Sequence, residues 1–109
     1  MSELITLNDR IKYHLYRRET DMRRSFDSLC GIVVNELGRR IQDGDAFIFI
    51  NKHHTHLKLL VWEYGGFTIF YRKLVKGTFP IPIFDLDARS LQTSATELLS
   101  MLKDVRLKR

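Results

Sequence analysis

Between Ala46 and Val75 the chain places three runs crowded with aromatic and β-branched residues one after another, and this most narrows what it can fold into. The runs are Ala46 to Ile50, Leu57 to Glu63 and Phe67 to Val75. Such residues suit a pleated, half-buried surface. Gly65-Gly66 separates the last two and is a hairpin signal, while polar Asn51 to His56 gives a longer loop between the first two. An antiparallel meander is predicted, ended by Pro80 and Pro82 because proline cannot donate to a central ladder. Ahead of it, Ile11, Tyr13 and Leu15 alternate with Arg10, Lys12, His14 and Tyr16, the period of a half-buried strand.

Two helices flank these strands. Met22, Phe26, Leu29, Cys30, Val33 and Leu37 recur at helical spacing, with Thr20 and Asp21 as capping residues and Gly38 as a stop. Ser94-Ala95-Thr96-Glu97 reads as a capping box ahead of Leu98, Leu99, Leu102 and Val105. The expectation is an α+β fold: a small antiparallel sheet of about four strands, in the order β-α-β-β-β-α, with two helices packed on one face. The 109 residues predict a single domain, 1–109, with a short N-terminal arm (1–8) and a basic C-terminal tail (106–109).

Eighteen Lys and Arg against thirteen Asp and Glu leave a net charge of +5, a balance that suits a polyanionic partner. The single cysteine, Cys30, falls on the apolar helix face, so no internal disulfide forms and a reducing compartment fits. The opening residues Met1 to Thr6 lack the basic and apolar regions of a signal peptide, and no apolar stretch reaches the ~18 residues of a membrane span. A cytoplasmic protein without a membrane partner is expected.

The basic residues are not spread evenly. With a helix starting at Met22, Arg23 and Arg24 fall in its first turn, where a cation costs roughly 0.3 to 1 kcal/mol against the helix dipole. An anion would reverse that sign, so Arg17, Arg18, Arg23 and Arg24 form a candidate phosphate site. The other reading is a solvated charged face, with Glu19, Asp21 and Asp27 pairing locally.

A second candidate surface lies on the hairpin. Any even-numbered loop places Lys58, Leu60 and Trp62 on one face with Phe67, Ile69, Tyr71 and Lys73. The opposite face, with Leu57, Leu59, Val61, Phe70, Leu74 and Arg72, is more purely apolar and is assigned to the helices. Trp62, Phe67 and Tyr71 then stand outward beside Lys58 and Lys73, as in surfaces that stack bases and hold phosphates. A helix or partner chain covering these rings is the other reading. If Gly65-Gly66 is the turn, the two lysines are directly opposed, which costs stability unless an anion or acid lies between them.

Catalytic and metal chemistry find little support. His53, His54 and His56 share one loop without a cysteine or an obvious fourth ligand and read as exposed loop histidines. Asp21, Asp27, Asp43 and Asp45 sit where caps and turns already explain them, and no nucleophile accompanies a base. No cofactor is expected, and the chain is read as not an enzyme.

With these blocks in view, a family resemblance emerges. Thr20 to Leu29, Gly44 to Lys52, Leu57 to Trp62, Gly65-Gly66-Phe67, Tyr71 to Leu74 and Gly77 to Pro80 follow one another in family order. Over roughly residues 7 to 105 the chain resembles the small accessory protein called TnpB of bacterial insertion-sequence-66 elements, not the RNA-guided nuclease of that label. The resemblance implies a role in transposition beside a separate transposase that carries the catalytic acids. It supplies no catalytic residue to carry over. Its matched basic positions are Arg23, Arg24, Lys52, Lys58, Arg72 and Lys73. Two expectations follow: a module that holds transposon-end or target DNA without catalysis, or one that docks on the transposase through the aromatic sheet face.

Overall fold

Alternation and unbroken apolar runs decide which strands lie inside the sheet. The computed structural model describes residues 10–81 and 89–103. In chain order these form β1 (Tyr13–Tyr16), α1 (Phe26–Asn35), a single 3-10 turn (Ile41–Asp43), β2 (Ala46–Ile50), β3 (His56–Glu63), β4 (Gly66–Lys73), β5 (Ser90–Thr93) and α2 (Ala95–Lys103). The sheet order is β4-β3-β2-β1-β5.

The α+β class holds, but among the described residues the sheet has five strands and is mixed. β2, β3 and β4 form the expected antiparallel meander, whereas β1 pairs parallel to β2, Tyr13 beside Ala46 and Leu15 beside Ile48. The chain between β1 and β2 contains α1 and is long enough for the crossover that parallel pairing requires. β5 pairs antiparallel with β1. It escapes a pattern search because Ser90-Leu91-Gln92-Thr93 is short and half polar.

The two helices lie in separate cores, one on each face of the sheet, rather than on one face. Leu98, Met101 and Leu102 of α2 pack with Leu15, Ile48, Leu57, Leu59 and Val61. Leu29, Ile32 and Val33 of α1 pack with Tyr16, Phe47, Phe49 and Leu60. The cause is β2, whose five residues Ala46-Phe47-Ile48-Phe49-Ile50 are all buried and offer no polar side to water. A strand of this kind needs cover on both faces.

The first helix starts later than its apolar spacing predicts. Ser25 occupies the N-cap position without a side-chain cap bond. Thr20 is buried, its N–H donating to the Ile50 carbonyl (2.9 Å). The Asp21 carboxylate accepts from the Arg23 N–H (2.9 Å) and the Asp21 carbonyl from the Arg24 N–H (3.1 Å), so the capping chemistry closes a turn instead. Arg23 and Arg24 therefore precede the helix. At its other end Gly38 takes φ +64, the left-handed stop that was expected. The capping box of α2 is reciprocal: Glu97 N–H donates to Ser94 Oγ (3.0 Å) and Ser94 N–H to Glu97 Oε1 (3.1 Å). Val105, Pro82, the N-terminal arm and the basic tail lie outside the described residues.

The hairpin turns one residue earlier than the glycine pair suggests. Glu63 pairs with Gly66, leaving Tyr64 (φ 51) and Gly65 (φ 75) as the two central residues, and two positive φ values in succession match the strand twist. The loop remains even, so the predicted face partition holds. The opposition of Lys58 and Lys73 does not, because Lys58 faces Tyr71 and Lys73 faces His56.

A part-buried polar contact ties β1 to the residue ahead of β2. His14 Nε2 lies 2.8 Å from Asp45 Oδ2, and its ring stacks on Phe47 at 5.3 Å. Arg39 reaches the same carboxylate at 3.6 Å. Burial lowers the His14 pKa, outweighing the Asp45 hydrogen bond that raises it.

Candidate nucleic-acid interface

Two irregular segments face each other near the C-terminal end of β2. The first leaves β1 and runs through Arg17 to Arg24, tied to β2 by the Thr20–Ile50 hydrogen bond. The second is the β2–β3 loop, held from within by Asn51. Asn51 Oδ1 accepts from the N–H groups of Thr55 (2.8 Å) and His56 (3.0 Å), and its Nδ2 donates to Thr55 Oγ1 (3.0 Å). Asn51 Nδ2 (3.1 Å) and Thr55 Oγ1 (2.6 Å) also converge on His56 Nδ1. That nitrogen is thereby assigned as acceptor, which places the neutral ring's proton on Nε2.

Lys58 joins the first segment to the sheet. Its Nζ donates to the carbonyls of Met22 (2.6 Å) and Arg24 (3.1 Å) and sits 5.1 Å from the centre of the Tyr71 ring. The carbonyls of the segment ahead of α1 thus face an ammonium carried by β3.

Between the segments opens a cleft of about 520 Å³, lined by Glu19, Thr20, Asp21, Met22, Arg24, Asn51, Lys52, His53, His56 and Tyr71. A smaller hollow of about 180 Å³ adjoins it and is lined in part by Arg17, Arg18 and His54. Glu19, Asn51 and Lys52 line both. The two depressions therefore share a wall, and Arg17, Arg18, Lys52 and Arg24 lie around them.

The predicted basic residues differ in how committed they are. Among the described residues, Lys52 and Lys73 make no side-chain hydrogen bond or ion pair, and Lys73 stands opposite His56 on the Tyr71 side of the sheet. Arg24 donates to Ser28 Oγ at 2.6 Å. Arg18 lies 3.9 Å from Glu36, its own side chain largely exposed and that of Glu36 partly so, a weak pairing. Arg23 is engaged more closely: its guanidinium meets both Asp21 oxygens, the shortest contact 2.6 Å, and holds the Asp21 pKa down to about 2. For Arg23 the local-pair reading describes the geometry. Arg72 lies on the other face, where its Nη1 donates to the Leu102 carbonyl at 3.3 Å.

The aromatic surface divides in the same way. Trp62 and Ile69 pack against the α1 core, and the Trp62 ring meets Phe67 at 4.8 Å. Phe67 in turn lies 6.4 Å from Phe26 at the start of α1. The face assigned outward is therefore roofed by α1 at its Trp62 end, because the helices do not share the other face. At the opposite end Tyr71 remains 53% exposed and forms part of the cleft wall.

Sequence patterns did not single out Thr20 or Asn51 as parts of this site. Thr20 is buried in the wall, and its hydroxyl has no hydrogen-bond partner among the described residues, which costs about 1–3 kcal/mol for a buried polar group. An asparagine directly after an apolar strand and before a polar loop is the local signal that could have pointed to Asn51. Among the described residues no three His, Cys, Asp or Glu side chains converge as a metal would require, and none of the helices is long and apolar enough to cross a membrane. Burial raises the Cys30 pKa, keeping it a protonated packing residue.

Comparison with known proteins identifies a family. A family model described as IS66 Orf2 like protein matches residues 11–109. No curated protein and no solved structure matches the chain.

Proposed function

The chain belongs to the IS66 Orf2-like family of transposition accessory proteins, and from that premise we propose that it binds DNA without catalysis, in support of a separate transposase. The observation that carries this reading is the shared wall of the two depressions, which collects Arg17, Arg18, Arg24 and Lys52 around one concave surface, with Lys73 on the Tyr71 side of the sheet. Net charge of +5 favours the same partner. Cations held on short, braced segments position a phosphate backbone without reading its sequence. The candidate DNA is a transposon end or target, and the setting is the bacterial cytoplasm.

Salt titration of DNA affinity tests the proposal. Each phosphate contact to duplex DNA contributes about 0.9 to the slope of log affinity against log salt, so Lys52→Gln with Arg24→Gln should flatten the slope by about 1.8. Binding that is absent, or indifferent to salt, refutes it.

A second reading rests on a different surface. Phe26, Phe67 and Trp62 make a continuous ring contact, with Phe26 and Phe67 each more than one-third exposed, which favours docking on the transposase. Salt-insensitive co-purification with the transposase that is lost in Phe26→Ser and Phe67→Ser supports that reading.

A further inference from the structure

We propose that the 520 Å³ cleft takes one unpaired DNA nucleotide, its base against Tyr71 and its flanking phosphates at Arg24 and Lys52, so that the protein prefers single-stranded ends or junctions over continuous duplex. This inference rests on the DNA-binding reading and specifies which form of DNA the site recognises.

Size and charge both argue for a single nucleotide. The volume lies within the range of sites that enclose a small molecule, whereas a paired base presents only its edge within a groove. The wall is also of mixed charge. Among the described residues Glu19 has no ion-pair partner, and its carboxylate repels a continuous run of phosphates. The same carboxylate is a suitable acceptor for the exocyclic amine of a base. Asp21 does not play this part, because both its oxygens are held by Arg23.

The wall also offers a stacking surface and an unused polar group. Tyr71 belongs to β4, the edge strand among the described residues, and more than half of its surface is open. Lys58 and His56 hold the ring, at 5.1 Å and 6.0 Å. A ring fixed in advance stacks any base without selecting its sequence. Thr20 lies in the same wall, its hydroxyl buried and without a hydrogen-bond partner among the described residues.

The experiment compares three fluorescent probes at fixed salt: blunt duplex, the same duplex with a short single-stranded extension, and free single strand. The extended duplex and the single strand should bind more tightly than the blunt one. Tyr71→Ala should weaken binding to those two by about 5- to 150-fold and leave blunt-duplex affinity unchanged, with Tyr71→Phe restoring the preference. Glu19→Gln provides a second variant on an exposed side chain and should change the relative affinity for cytosine and thymine extensions. Equal binding of all three probes, or equal loss on all three in Tyr71→Ala, overturns the nucleotide cleft while DNA binding stands. Failure to bind any of the three probes overturns both. Circular dichroism of each variant separates loss of the site from loss of the fold.

Discussion

Replacing Lys58 by methionine should destabilise the protein, although removing a cation from a basic surface would ordinarily be neutral or helpful. Methionine keeps most of the aliphatic stem and removes the ammonium that donates to the Met22 and Arg24 carbonyls. The Met22 bond is part-buried, whereas the Arg24 bond is longer and exposed and contributes little. One charge-assisted hydrogen bond contributes about 1.5–3 kcal/mol, which for a domain of this size lowers Tm by roughly 6–24 °C. Lys73 is the control: it makes no such bond among the described residues, and Lys73→Met should stay within about 0.5 kcal/mol of the parent. Thermal unfolding followed by circular dichroism distinguishes the two. A Lys58→Met protein that melts with the parent would falsify the bracing role, and a stabilised one would restore the like-charge repulsion that a Gly65-Gly66 turn implies.

Three further outcomes follow from individual contacts. His14 has a lowered folded-state pKa, so below the ordinary histidine value of about 6.5 the unfolded chain binds more protons. Stability should therefore fall as pH drops from about 6.5 towards the folded-state pKa, and His14→Gln, measured by denaturant titration across that window, should show a shallower slope; an unchanged slope refutes the assignment. Asn51→Ala removes the amide that organises the β2–β3 loop and should cost about 1–3 kcal/mol by urea unfolding, with faster hydrogen exchange at the Thr55 and His56 amides; native-like exchange at both counts against the brace. Ser94→Ala breaks one half of the α2 capping box and should cost about 0.5–2 kcal/mol, read as a lower urea midpoint; no shift means that tertiary packing alone sets the helix start.

What could be read from the chain depended on whether a local pattern had one physical solution. The β2–β3–β4 meander was legible because period-two alternation and an even turn fix which residues share a face, and that partition survived a one-residue shift of the turn. The arrangement of helices was misjudged even though the sequence contains the decisive signal. Ala46 to Ile50 has no polar alternation, so both its faces need cover, and two helices on one face cannot supply it. β5 offers too few residues for periodicity, and its pairing with β1 joins positions far apart in sequence.

The arginine cluster shows how residues selected on an incorrect local structure can still be gathered around one concave surface. Thr20 and Asp21 have the chemistry of helix caps, but here one extends the contact with β2 and the other closes a turn around Arg23, so no helix dipole acts directly beneath Arg23 and Arg24. The segment is placed instead by Lys58, reaching carbonyls 36 and 34 residues away, and by Thr20 against the end of β2. These are tertiary contacts that helical spacing does not encode. They place Arg24 in the cleft wall that also holds Lys52 while leaving Arg23 with Asp21, so adjacent residues of the same type have different prospects as phosphate ligands. DNA affinity should follow that division. Arg24→Gln should weaken binding and reduce its salt slope by about 0.9, whereas Arg23→Gln should change the slope by less because its charge is already met by Asp21. Equal effects of the two substitutions would mean that DNA displaces Asp21, making the ion pair a competitor for the site rather than a fixed part of it.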